Sequence, residues 1–191
     1  MIVNVSGMSR TCSPRYPWVE FLKVMSARHQ SLRAPAVPLG ATEAEIARLE
    51  GRLGRRLPPS YREFLAVANG WKGTAMILLL HSCQLGWTRD LDPELCESWA
   101  PDGVHPTVPD EQYFVYGPEQ DCIHARDEYI PDTLRVGRYV EGQTLMLNPH
   151  VVTLDGEWET WDFSIDYPGA HRYRSFWEFM RSRFGKAAFP S

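Results

Sequence analysis

The sequence predicts an α+β domain in which a mixed or mainly antiparallel sheet is flanked by helices. Three observations carry the prediction. Residues 42–70 hold two short amphipathic helices with start and stop signals, residues 134–163 hold short apolar or alternating runs punctuated by turn residues, and residues 175–184 return to helical periodicity. The chain has 191 residues, 43% hydrophobic and 12% aromatic, enough for one substantial core or at most one domain with a small appendage.

Along the chain, Pro17–His29 places Trp18, Phe21, Leu22 and Met25 at the i, i+3, i+4, i+7 positions of one helical face. Arg33–Gly40 then interrupts regular structure, because Pro35 and Pro38 remove backbone donors and restrict the residues before them. Residues 1–37 therefore read as a helical extension and linker, and residues 38–186 as the main domain. Thr42 and Glu45 have capping-box spacing, Ile46, Leu49 and Leu53 follow on one face, and Gly54 is a stop. Arg48 and Arg52 then face mainly water. A second helix follows Pro58-Pro59, with Tyr61, Phe64, Leu65 and Ala68 in register and Asn69-Gly70 at its end. Ser60 with Glu63 offers a second capping box, so the start lies either there or at the prolines.

After Gly70 the period changes. Ala75–Leu80 is a candidate buried strand, with a helix turn as the other reading of six apolar residues, Asp90–Trp99 a short helix, residues 101–109 a proline-rich loop and Gln112–Tyr116 a strand. Leu134–Val140, Gln143–Leu147, Val151–Leu154 and Glu157–Phe163 read as four strands, separated by Glu141-Gly142, Asn148-Pro149 and the hairpin signal Asp155-Gly156. Alternation in the last places Trp158 and Thr160 on one face and Glu157, Glu159 and Trp161 on the other. Ser175–Phe184, through Phe176, Phe179, Met180 and Phe184, is a helix expected to cover one face of the sheet.

The stretch from Leu39 through Ile46 (LGATEAEI), then Leu53 through Leu65 (LGRRLPPSYREFL) and Asn69-Gly70, resembles the opening of SMI/KNR-type domains of the SUKH superfamily. Leu134-Arg135-Val136-Gly137 and the helix at Ser175–Met180 resemble that family's C-terminal half, so the likeness spans Pro38–Phe184. It implies structural roles: beside the Thr42–Glu45 cap read from spacing, Leu53, Leu57, Tyr61, Phe64 and Leu65 fill the core, Pro58 and Pro59 start a helix, and Asn69 and Gly70 end it. Bacterial members are similar to immunity proteins against polymorphic or contact-dependent toxins, many of them nucleases. Fungal relatives look like regulators or interaction modules. The resemblance implies no active site. The chain departs from it by a long insertion-like middle, Thr88–Pro131, where loops can change partner-facing chemistry over an intact core.

Charge is unevenly distributed. The net charge is -4, yet residues 1–72 carry eleven Lys or Arg against five Asp or Glu, and residues 90–132 carry twelve acidic residues against Arg126 alone. The expectation is an acidic surface that meets a basic protein, with Asp110, Glu111, Glu119, Asp121, Asp127 and Glu128 steering the encounter and Trp87, Trp99, Tyr113 and Tyr116 as aromatic anchors. The other reading is a solvated acidic loop system whose aromatics serve the core. The partner expected is a protein, a cognate toxin foremost and otherwise the target of a regulatory scaffold. Direct nucleic-acid binding is not expected: Arg52, Arg55, Arg56 and Arg62 cluster where an amphipathic helix needs solvated residues, and no reading motif accompanies them.

No cofactor or metal is expected. His81 with Cys83 and Cys122 with His124 share an i, i+2 spacing, but neither pair has a compact zinc pattern and nothing in the sequence joins them. Nucleophile elbows and phosphate-cradling glycine loops are missing. A hydrolase or metal-dependent enzyme centred on Asp121, Cys122 and His124 is the minor alternative. The opening MIVNVSGMSR lacks a secretion-signal pattern, and the longest apolar run, Ala75–Leu80, is far below the roughly 20 residues that cross a bilayer. A cytoplasmic protein with its four cysteines reduced is expected.

Overall fold

Capping chemistry fixes the helical hairpin. The structure is a computed structural model describing residues 15–29, 38–72, 77–99, 107–139, 143–164 and 169–188. Helix α1 spans Trp18–His29, α2 Glu43–Leu53 and α3 Pro59–Val67. At the start of α2 the Thr42 hydroxyl accepts the Glu45 N–H, and the Glu45 carboxylate accepts the Thr42 N–H at 2.7 Å. Gly54 ends it in the left-handed region at φ 67°, where a side chain would be strained. Of the two starts open for α3, the prolines are used, with Pro58 as cap. Ser60 is thereby released from capping, and its hydroxyl donates to Glu157 at 2.6 Å.

The strands are β1 (Trp71–Lys72), β2 (Ile77–Leu79), β3 (Gly86–Trp87), β4 (Leu134–Tyr139), β5 (Thr144–Val152), β6 (Trp158–Ser164) and β7 (Gly169–Tyr173). They form one sheet in the order β1-β2-β4-β5-β6-β7, and every described pairing is antiparallel. Strand β3 pairs with the Leu134–Arg135 stretch of β4, while β2 pairs with its Gly137–Tyr139 stretch.

Four local expectations are corrected. Asn148-Pro149 does not divide two strands: β5 runs through it to Val152, and a register shift against β6 between Asn148 and Val152 accommodates a proline that cannot donate to the ladder. Val151–Leu154 is thus the end of β5 and its turn. Gln112–Tyr116 is not a strand, because Pro109 with Asp110 and Glu111 starts one helical turn, α6 (Asp110–Tyr113). Asp90–Trp99 is two helices, α4 (Thr88–Leu91) and α5 (Pro93–Ser98), divided at Asp92, whose carboxylate caps the Leu95 N–H. Glu157 precedes β6 and escapes its alternation, accepting the Ser60 N–H at 2.8 Å and the Tyr16 hydroxyl at 2.7 Å on the helical side. Strand β7 was not anticipated. Ala75, Met76 and Val140 lie outside the described residues.

The final helix, α7 (Phe176–Ala188), covers one sheet face as expected. Phe176, Phe179, Met180 and Phe184 join Leu145, Leu147 and Trp158 of the sheet, residues of the α2–α3 hairpin, and Trp18, Phe21, Leu22 and Met25 of α1 in one core. Trp18 packs edge-on to Phe64 at 5.4 Å between centroids and donates its indole N–H to the Ser60 carbonyl at 3.0 Å. A second core lies on the alternate residues of the same strands: Met146, Trp161, Phe163 and Ala170 pack against Tyr113, Ala125 and Ile130. The acidic middle segment is therefore a layer over the second sheet face, where it buries apolar side chains of its own.

Candidate interaction surface

The elements of residues 88–132 are too short to hold themselves, so side chains tie them down. Thr88 donates its N–H to the Thr133 carbonyl at 2.8 Å. Asp92 pairs with Arg135 of β4 at 2.6 Å, and Asp132 pairs with Arg89. Arg126 clamps the middle: its guanidinium donates twice to the Val108 carbonyl, at 2.9 and 2.7 Å, pairs with Asp110, and lies 4.5 Å over the Tyr113 ring. Arg126, the one Lys or Arg of residues 90–132, is thus 9% exposed and structural.

Beneath the layer sits Glu159, which is fully buried. Its carboxylate accepts the hydroxyls of Tyr113 and Tyr116 (2.7 Å for the latter), the Asn148 amide at 3.0 Å and the Trp161 indole N–H at 2.7 Å. Burial, and next the Glu159 charge, push both phenols far above the usual tyrosine value and keep them donors. Arg172 of β7, also fully buried, stacks under Tyr113 at 4.4 Å and donates to the Tyr113 and Val115 carbonyls. The layer also closes the β7 edge: the Cys122 carbonyl accepts the Ala170 N–H at 3.0 Å, and the Gln120 side chain bonds both the N–H and the carbonyl of Arg172 at 2.7 and 3.1 Å.

The expected contact residues separate into two groups. Glu111, Glu119, Asp121 and Glu128 are exposed, as are Asp90, Glu94 and Glu97, and among the described residues none of these makes an ion pair. Asp110 is exposed but held by Arg126, and Asp127 is half-buried. The aromatics lie deeper than expected. Tyr113 has no exposed surface, Tyr116 is half-buried on Glu159, and Trp99 packs edge-on to Phe163 at 4.9 Å. Their rings are used by the second core, a demand that residue spacing does not reveal. Phe114 and Ile123, which sequence reasoning passed over, keep 46% and 52% of their surface exposed within the acidic layer. Ile123 belongs to no periodic run, and the strand reading of Gln112–Tyr116 offered no reason to separate Phe114 from its aromatic neighbours.

Trp87 lies elsewhere. It stacks on Trp158 at 6.4 Å and 19° and faces a cleft of about 290 Å³ lined also by Arg55, Arg89, Asp132 and His150. Of the basic cluster, Arg52 donates to the Leu85 and Ser82 carbonyls and Arg62 pairs with Glu43 and Glu50, while Arg55 lies 5.4 Å over the Trp158 ring.

The residues of the minor enzyme reading build a turn. The Asp121 carboxylate accepts the Ile123 N–H at 3.1 Å and its carbonyl accepts the His124 N–H at 3.2 Å. His81 Nδ1 lies 3.1 Å from Cys83 Sγ. Among the described residues no group of three or more His, Cys, Asp or Glu is arranged to hold a metal ion, and Cys83, Cys96 and Cys122 are free thiols. No helix among them is long and apolar enough to cross a membrane.

A model of the SMI1 / KNR4 family (SUKH-1) matches residues 40–182, from the turn before α2 into α7. The chain belongs to the SMI1/KNR4 family. No curated protein matches it. Within this SMI1/KNR4 chain, Thr42, Glu45 and Gly54 bound α2, Leu53, Leu57, Tyr61, Phe64 and Leu65 are buried, and Asn69 fastens the following turn by accepting the Ser82 N–H at 2.8 Å. Membership supports a protein-interaction role, of the immunity type in general.

Proposed function

We propose that this SMI1/KNR4 protein is a cytoplasmic immunity protein that binds a toxin with a basic active face, a nuclease foremost, and neutralises it by steric occlusion without chemical turnover. The observation that carries the reading is the acidic layer itself. Its outward carboxylates at Glu111, Glu119, Asp121 and Glu128 have no ion pair among the described residues, while Arg126, Arg172 and the Glu159 network hold the layer from beneath. A pre-ordered charged surface speeds encounter and loses little entropy on binding. It would also compete with a nucleic-acid substrate for the basic cleft of a nuclease. Phe114 and Ile123 supply the apolar contact that charge alone does not.

The test is co-expression with a toxin encoded beside the gene, reading cell survival and complex formation. Protection with a stable complex is expected. Binding to a non-toxin target without protection would instead favour a regulatory scaffold. The triple variant Glu111→Lys, Glu119→Lys, Glu128→Lys should slow association by about tenfold or more at low salt, with the gap closing as salt rises. Equal association rates would remove the acidic layer from the mechanism.

A further inference from the structure

The cleft at Trp87 has chemistry opposite to the acidic layer. Trp87 lines it and stacks on the buried Trp158, and a guanidinium lies over each ring: Arg55 at 5.4 Å from Trp158 and Arg89 at 5.6 Å from Trp87. Asp132 must serve both Arg89 and His150, the latter at 3.1 Å. The Arg55 guanidinium has no hydrogen bond or ion pair among the described residues, so beyond its ring contact its five N–H donors have no acceptor among them.

We propose that this cleft receives a carboxylate side chain of the partner protein, an aspartate or glutamate beside an apolar residue. The carboxylate takes the fork of Arg55, and the apolar neighbour lies on the indole of Trp87. The complex then has two contacts of opposite charge, which fixes the orientation of the partner as one charged face cannot. This rests on the reading of the chain as a protein binder.

The experiment titrates the full chain with a short blocked peptide, acetyl-Ala-Glu-Leu-Glu-amide, and follows the Trp87 indole N–H resonance, assigned by its loss in Trp87→Phe. The acidic peptide should shift that resonance, and the peptide with Gln in place of both Glu should not. Arg55→Gln should weaken the response by about fivefold or more; if that variant does not fold, Arg55→Lys, which keeps the charge and loses the fork, should weaken it in the same direction. The triple charge reversal of the acidic layer should leave the response intact. An equal response to the Gln peptide, an equal response to inorganic phosphate, or an unchanged affinity in Arg55→Gln overturns the inference. The titration contains no toxin, so its failure is distinguishable from failure of the immunity reading.

Discussion

Glu159 is acceptor to four donors in a site without exposure, and Glu159→Ala would leave Tyr113, Tyr116, Asn148 and Trp161 each short of a buried partner. A loss of about 3–5 kcal/mol in urea unfolding is expected. Glu159→Gln should recover only part of it, because the amide turns N–H groups toward donors. Asp162 makes the opposite kind of prediction. Burial raises its carboxyl above the ordinary value of 3.8, against the pull of Arg183, the Tyr139 hydrogen bond and His171. The folded state then keeps a proton that the unfolded chain has released, so stability falls as pH rises from about 4 through the folded value. Asp162→Asn should flatten that fall, and parallel denaturation curves for the two proteins between pH 4 and 7 would refute it.

The short elements of residues 88–132 depend on their fasteners. Gly169, at φ 129°, is where the layer meets β7, and a Cβ there would stand 2.0 Å from the Cys122 carbonyl oxygen. Gly169→Ala therefore has to push the layer off the sheet edge as well as strain the backbone. Faster amide exchange at Ala170 and across the acidic layer is expected, with the α2–α3 hairpin unchanged. Arg126→Lys keeps the charge but loses the fork on the Val108 carbonyl. A cost of about 1–3 kcal/mol, concentrated in the same layer, should appear in exchange protection.

On the scale of the whole molecule, one sheet serves two masters. Its helical face carries the aromatic core of α1, α3 and α7, and its other face seats a charged layer on a second apolar cluster. In the proposed reading the division separates stability from recognition: Phe114→Ala and Ile123→Ala should change the unfolding midpoint little and the dissociation rate of a partner more, because both side chains are half exposed. A fall in midpoint without a change in dissociation would return them to the core.

Residue pattern alone determined the α2–α3 hairpin, α7 and the places of β4 and β6, because capping boxes, proline starts and helical or alternating periods are local physics, while the run of β5 through Asn148-Pro149 and the antiparallel order were settled by pairing. It also located the acidic run and its lone Arg126. Only the tertiary structure decided what that run does with its side chains. A tyrosine such as Tyr113 can cover a core or face a partner with equal local propensity, and the arrival of Glu159 and Arg172 from strands more than 40 residues away chose the core. Likewise Trp87 became part of a cationic cleft because Arg55 and Trp158, distant in sequence, meet it in space. Long-range pairing of charge with aromatic surface leaves no periodic trace along a chain, and that is why the face was legible and its chemistry was not.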